Sequence, residues 1–260
     1  MGGPGLTLTR ADLGCWLINL PRASARREAM VAQLGRMDLP WTLFDAIDGR
    51  ARQAELAGSL DRETFERNMG RPVMWGEIGC FISHIEVWKA FLESPHQVAL
   101  ILEDDVIFHD DFIPALDLAL AHKDRWDMLK LNKIRAKQPI RQGTIGPYAL
   151  NAYAGPATGM GAYLIDRPTV QKMLDHLLPI TMPIDYETNR FFRYDFRLFG
   201  LEPFPSHVED GGVSTITGTN SAEVKKRPWY RRLPNYAMRI ANHVRRRRWL
   251  REKGFLHPKS

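Results

Sequence analysis

Short apolar runs alternate with amphipathic stretches along this chain, and each kind predicts a different element. Residues 14–20 (GCWLINL) read as a first buried strand, stopped by Pro21-Arg22. Ser24 is placed to cap a helix over 25–34, with Met30, Val31 and Leu34 on one side. Residues 41–47 read as a second strand closed by the turn pair Asp48-Gly49, and the polar stretch 50–72 as a surface excursion with helical character. Over 76–92, Ile78, Phe81, Ile82, Ile85, Trp88 and Leu92 recur at three and four, an amphipathic helix ended by Ser94-Pro95.

The run 98–108 (VALILEDDVIF) is apolar except for Glu103, Asp104 and Asp105. A continuous apolar run fits a strand buried on both faces. Three adjacent carboxylates there are expensive unless they reach solvent, a hydrogen-bond network or a cation. The strand is therefore expected to end at the acidic triad, at the rim of an open α/β sheet where ligands usually bind. Further on, the pattern predicts a helix over 110–121, a strand over 126–132 and a Gly- and Pro-containing loop over 133–151. It then predicts a strand at 163–165 entered from Thr158-Gly159-Met160-Gly161, and a helix from Arg167-Pro168 to Leu178. A loop at 183–186 feeds a short helix over 187–192, followed by a last strand at 198–203 and a polar loop over 207–216.

With 260 residues and 44% hydrophobic content, one large α/β domain is expected. Cys15 and Cys80 have neither metal spacing nor a partner framework and read as reduced, buried thiols. No secretory signal and no run near the ~20 apolar residues of a membrane span is visible, so a cytoplasmic protein is expected. Residues 222–260 hold 13 of the 36 Lys and Arg but two of the 30 Asp and Glu. The body is thus mildly acidic and the C-terminal segment strongly basic, which suggests an anionic partner for residues 225–253. Its interleaved Trp229, Tyr230, Trp249 and Phe255 favour a membrane surface over nucleic acid, with a merely solvated tail as the bland reading. Arg22, Arg26 and Arg27 cluster at the first strand-to-helix junction, where an anionic phosphate or plain solvent are equally good partners. Ser83-His84 is not a nucleophile–base pair, because adjacent helix residues diverge; a packed histidine is the default.

Taken in order, WLINLPR (16–22) with Arg26-Arg27, FDAIDG (44–49), GEIGCFISH (76–84) with Trp88, and LILEDDV (100–106) resemble glycosyltransferase family 25. GMGAYLI (159–165), PID (183–185), LEPF (201–204) and STI (214–216) extend the resemblance across the body. This is the lipooligosaccharide galactosyltransferase group, to which collagen galactosyltransferases are related. The resemblance implies a GT-A-type α/β fold, a central mainly parallel sheet flanked by helices, spanning 13–221 between a flexible leader (1–12) and the basic tail (222–260). It implies inverting transfer of a sugar, usually galactose from UDP-galactose, onto a glycan or lipid-linked oligosaccharide acceptor. The triad then corresponds to an Asp-x-Asp-type motif for Mn²⁺ or Mg²⁺, with Asp105 as direct ligand and Glu103 and Asp104 shared between metal and donor. His207 or Glu209 would supply a late metal ligand. Asn19, Arg22, Arg27, His84 and Gly159 would sit around the donor. Asp185 is the leading acceptor base, with a helix N-cap as its bland alternative, and Glu187 is next. A peripheral location on the inner face of a bacterial inner membrane follows from this acceptor class and the basic tail. A metal-dependent hydrolase or phosphotransferase, and a membrane-docked nucleotide-sugar-binding protein without transfer activity, are the competing readings. The first lacks a second carboxylate cluster and a Gly-rich Walker loop.

Overall fold

The structure is a computed structural model that describes residues 7–133, 135–209 and 227–259; the STI motif, Lys225 and Lys226 lie outside the described residues. Strand β1 (Leu13–Asn19) is buried at every position, as its unbroken apolar run requires. Helix α1 (Ser24–Leu34) follows, then β2 (Thr42–Asp45) and the short helices α2 (Gln53–Leu56) and α3 (Arg62–Met69). Helix α4 (Trp75–Glu93) leads into β3 (Val98–Glu103), the turn Asp104-Asp105 and β4 (Val106–Phe108). Next come α5 (Phe112–Ala121), β5 (Met128–Lys130), β6 (Arg135–Ala136), β7 (Pro139–Ile145), β8 (Tyr148–Tyr153), β9 (Ala157–Thr158) and β10 (Ala162–Asp166). The chain continues through α6 (Arg167–Leu174), α7 (Ile184–Thr188), α8 (Phe191–Tyr194), β11 (Leu198–Glu202) and β12 (Ser206–Val208), and ends in α9 (Leu233–Glu252).

Eight strands form one mixed sheet in the order β2-β1-β3-β10-β5-β11-β8-β7, flanked by helices. Six run the same way; β10 and β8 are reversed, so the sheet is mainly parallel in direction with two antiparallel insertions. Parallel strands put their C-terminal ends on one edge. Asn19 closes β1 there, Glu103 closes β3 in register with Ile18, and Lys130 closes β5. Because β10 is reversed, its entry loop through Gly159 and Gly161 reaches the same edge, and the Gly161 carbonyl accepts from the Glu103 N–H at 2.7 Å. β3 is flanked on both sides within the sheet, and Val98 to Leu102 are completely buried. Burial of each such Leu or Ile stabilises by roughly 1.5–3 kcal/mol, and α4 adds Phe81, Ile85, Trp88 and Phe91 to the same core.

The stretch 133–151, expected to be a loop, instead carries the β7–β8 hairpin. Its glycines mark turn and bulge rather than absence of strand. Gly146, at φ +55°, begins the two-residue turn, and Gly143 lies in the bulge between Arg141 and Thr144. Ser24 is the first helical residue of α1 and not its cap, because the chain turns into the helix one residue earlier at Ala23. α7 starts at Ile184 with Pro183 at its N-cap, three residues before the expected helix, since proline's fixed φ favours an early start. His207, expected in a loop, is in β12, paired with Ile107 of β4. Leu8 of the N-terminal segment is buried, and its N–H bonds the Leu120 carbonyl.

The basic segment folds onto the body. α9 lies against α3 and α8; Trp249 packs edge-on to Phe191 at 5.0 Å, and its indole N–H donates to Asp195 at 2.7 Å. Both cysteines are free thiols. Among the described residues no helix is long and apolar enough to cross a membrane.

Candidate functional site

The turn after β3 presents the three carboxylates to a cleft of about 550 Å³. The β1–α1 junction, residues Ile47–Gly49, the start of α4 and the triad itself wall it. Backbone meets backbone along one side: a Cβ on Gly79 would fall 2.4 Å from the Ile47 carbonyl, so glycine alone lets α4 approach that loop.

Each carboxylate has a different set of partners. Asp104 accepts from the Asn19 side-chain amide at 2.7 Å and lies 3.3 Å from Arg26 Nη1. Asp105 has a long contact to Arg26, at 3.7 Å, and among the described residues its buried Oδ1 has no hydrogen-bond partner. Burial and then the Glu103 charge raise its pKa from the usual range to about 7. Burial likewise raises Asp104, against Asn19 and Arg26. An orphaned buried carboxylate oxygen beside two further carboxylates fits a hard divalent cation, which prefers oxygen ligands.

Glu103 is held from behind. Trp88 Nε1–H donates to the Tyr163 hydroxyl at 2.9 Å, and that hydroxyl lies 2.9 Å from His84 Nδ1. His84 Nε2 is 3.1 Å from Glu103 Oε1. Burial keeps Tyr163 un-ionised, so it has one proton to give. With Trp88 already donating to it, the arrangement that satisfies every group has Tyr163 donating to Nδ1 and His84 donating Nε2–H to Glu103. Cys80, His84 and Glu103 place ligand-type atoms within 4.8 Å of one another. A metal there would need Nε2 bare, stranding the Tyr163 proton, and burial with the Glu103 charge holds the Cys80 thiol well above its usual range. The trio is therefore read as a positioning network for Glu103.

A second group meets the same edge. Lys130, at the end of β5 and 2% exposed, donates Nζ to the Gly159 carbonyl. Its pKa is pushed down to about 8 by burial, against the attraction of Asp185 and Glu103. Asp185 is in the first turn of α7, with Oδ1 accepting from the Tyr186 N–H at 2.9 Å. Burial raises its pKa while Lys130 opposes the rise. Pro183 occupies the N-cap, so capping does not account for this carboxylate. Gly159, at φ +106°, makes the close approach of this loop possible.

Of the other residues singled out from the sequence, Arg22 lines the cleft, ion-paired with Asp48. Arg27 is not among the lining residues; its neighbour Arg26 meets the triad. Glu187 is buried between Arg190 at 3.1 Å and Arg193 at 2.9 Å and accepts from Tyr194. His207 is exposed and bonded to His109 at 2.9 Å, whereas the Glu209 N–H bonds the Asp105 carbonyl at 2.8 Å. Lys130 and Tyr163 had no place in the sequence reading of the site. Lys130 did carry the signal used for the triad, a charge inside an apolar strand.

The sequence matches the family described as "Glycosyltransferase family 25 (LPS biosynthesis protein)" over residues 12–188. Procollagen galactosyltransferase 1-B of Xenopus laevis is 30% identical over 232 residues, covering 79% of this chain and 38% of that protein. Procollagen galactosyltransferase 1 of Danio rerio is 27% identical with the same coverage. "Inactive glycosyltransferase 25 family member 3" of Homo sapiens is also 27% identical, over 82% of this chain and 39% of its own. The chain thus spans about two fifths of the length of these relatives. Over residues 12–188 the match takes in the triad, the His84 network, Gly159 and Asp185, more than half of the sequence, and the chain belongs to glycosyltransferase family 25.

Proposed function

We propose that this protein transfers galactose from UDP-galactose to a hydroxyl of a glycan acceptor with inversion, using Mn²⁺ or Mg²⁺ at Asp105. The observation that carries the reading is the buried, unpartnered Oδ1 of Asp105 at the mouth of the cleft. The cation, held by Asp105 with Glu103 and a late residue, would offset the charge that grows on the departing diphosphate. Arg26 adds a fixed positive charge beside it, and Arg22 and Asn19 border the nucleotide. Glu103 is kept in place by His84 and Asp104 by Asn19. Asp185 takes the acceptor proton, its carboxylate being oriented by the Tyr186 and Gly159 N–H groups. Lys130 opposes the rise that burial causes in the pKa of that carboxylate and so favours its ionised form. Glu187 serves α7 and α8 by holding Arg190 and Arg193. The Glu209 N–H bonds the Asp105 carbonyl and His207 lies opposite Ile107; loss of metal affinity in His207→Ala or Glu209→Ala identifies the late ligand.

The test is a donor screen by thermal stabilisation. One UDP-sugar with Mn²⁺ should raise Tm by several degrees, since ligand at 100 times its Kd contributes about 2.7 kcal/mol. EDTA or Asp105→Asn should remove that gain. Metal-dependent stabilisation retained by Asp105→Asn would overturn the assignment. Similarity to a relative named inactive favours one second reading, a nucleotide-sugar-binding protein without transfer; stabilisation without any turnover of the UDP-sugar would establish it.

A membrane surface is the proposed setting of the acceptor, a lipid-linked oligosaccharide at the inner face of a bacterial inner membrane. Trp229, Tyr230, Leu233, Ile240 and Val244 are exposed large hydrophobic side chains, interleaved with Arg231, Arg245 and Arg248. Flotation with anionic vesicles but not with neutral ones is the expected result, and no binding to either at physiological salt would refute it.

A further inference from the structure

A second cleft, of about 1010 Å³, lies between α9 and the segments on the far side of Asp185. Arg135, Arg190, Arg239, His243 and Arg246 line it, and among the described residues no Asp or Glu does. Its most unusual member is Arg246, 5% exposed and without an ion pair among the described residues. Its Nη2 donates to the backbone carbonyl of Asn189 at 3.1 Å and to the Asn189 side-chain oxygen, and the Asn189 amide nitrogen is itself tied to the Ala157 carbonyl at 2.6 Å. The guanidinium is thus clamped by neutral acceptors, with Nε buried and, among the described residues, without a partner. Burial pushes its pKa down to about 10, the mark of a cation lacking a counter-charge. A buried, uncompensated arginine is destabilising where an apolar residue would pack as well. A bound anion would supply the counter-charge that this site lacks.

The surroundings repeat the excess. Arg190 Nε is also buried and unpartnered, and Arg190 shares a single carboxylate, Glu187, with Arg193. Arg135 and Arg239 line the cleft beside Tyr186, and their positive charges oppose the rise that burial causes in its pKa. Tyr186 follows Asp185 in the chain, and Thr158 of the cleft wall precedes Gly159, so the pocket begins one residue beyond the Lys130–Asp185 group. Met182 and Met238 give it an apolar wall suited to a sugar face.

We propose that this cleft binds a phosphoryl group carried by the acceptor, with the guanidinium groups of Arg246, Arg239 and Arg135 as its donors. Guanidinium forks match phosphate oxygens, and several cations together balance the two charges of a phosphate dianion. The assignment rests on the transferase reading only in naming the ligand as acceptor; the anion site stands on the arginines alone. The phosphoryl group belongs to a sugar or to a lipid anchor, and the test separates the two.

The probes are inorganic phosphate and a hexose phosphate, titrated calorimetrically into the full chain in EDTA, which removes any metal-bound phosphate at the triad. Saturable binding is expected, at least tenfold weaker in Arg246→Gln and in Arg239→Gln. Arg239 is exposed, so that variant keeps the test valid where loss of buried Arg246 impairs folding. Absence of saturable binding by the unmodified chain, or unchanged affinity in folded Arg239→Gln, overturns the proposal. Displacement by hexose phosphate of phosphatidate vesicles from the unmodified chain assigns the group to a lipid; hexose-phosphate binding with no such competition assigns it to a sugar. Mn²⁺-dependent UDP-sugar stabilisation of the unmodified chain reports on the donor reading separately. Its absence beside intact hexose-phosphate binding removes the transferase and leaves the anion site.

Discussion

Tyr163→Phe isolates the network behind Glu103. The substitution removes one oxygen and keeps the ring, which is completely buried on β10 between α4 and the sheet. Two buried groups lose their partner: the Trp88 indole N–H and His84 Nδ1, each 2.9 Å from that oxygen and each on a side chain 0% exposed. An unsatisfied buried donor or acceptor costs about 1–3 kcal/mol, so the pair predicts a loss of about 2–6 kcal/mol. For a chain of this size, 1 kcal/mol moves Tm by about 2–4 °C, which gives a fall of roughly 4–24 °C. The second consequence concerns the proton. In the intact protein Tyr163 fixes His84 as the Nε2–H tautomer; without it, nothing on the Nδ1 side selects that form, and the Glu103 contact slackens. Two measurements suffice, calorimetric Tm and the ¹⁵N shifts of the His84 ring. A Tm within about 2 °C of the parent, where two stranded groups demand more, would refute the energetic argument. A protonated Nδ1 in the intact protein would refute the proton assignment.

Three further predictions follow from other parts of the site. Lys130 binds its proton less tightly folded than unfolded, so the unfolded chain holds more protons between about pH 8 and 10 and stability should rise with pH there. The stability difference between the parent and Lys130→Met should therefore grow over that window by a few kcal/mol at most, and a flat difference in urea titrations would refute it. Gly79→Ala forces a Cβ to within 2.4 Å of the Ile47 carbonyl and 2.5 Å of the Gly49 nitrogen, both backbone. It should cost at least roughly 2 kcal/mol by urea midpoint, whereas Gly58→Ala, whose Cβ would meet nothing within 4 Å, should be near neutral. Asp185→Asn should lower turnover by roughly 10² or more with UDP-sugar stabilisation kept, and near-normal turnover would remove it as the base.

The acidic turn was legible in the sequence because three carboxylates inside an apolar run have no inexpensive burial. Strand β3 does end there. The same logic reaches Lys130 in MLKL only weakly, since a single lysine at a strand end usually extends its stem and puts its charge in water. Arg26 and Arg27 differ by about 100° around α1, so choosing between them needs the helix's placement on the sheet, which sequence does not provide. Arg246 was hidden in the run 245–248 for the same reason. There the phase was recoverable: Trp249 and Leu250 are buried, and Arg246 lies three and four residues before them on the same face. The β7–β8 hairpin was missed because glycine was counted as a breaker, where backbone geometry uses it for turn and bulge.

The charges divide the molecule in a way that bears on how the reaction would be organised. Glu103, Asp104 and Asp105 gather negative charge where a cation and a diphosphate would meet, while Arg135, Arg239 and Arg246 gather positive charge in the cleft under α9. α7 belongs to both sides: Asp185 faces Lys130, and Tyr186 and Asn189 line the basic cleft. Five residues are too few to hold a helix by themselves. The grip comes from Glu187, buried one turn along and tied to Arg190, Arg193 and Tyr194 of the segment that follows. Asn189 then passes the constraint to α9 through Arg246 and to β9 through Ala157. On this reading the basic C-terminal segment is part of the wall of the acceptor site. An acceptor phosphoryl group bound to Arg246 would press on the same asparagine that closes α7, four residues from the carboxylate proposed to take the proton. Acceptor binding and placement of the base would then be two effects of one contact, which gives a physical reason for an arginine to stay buried without a carboxylate of its own.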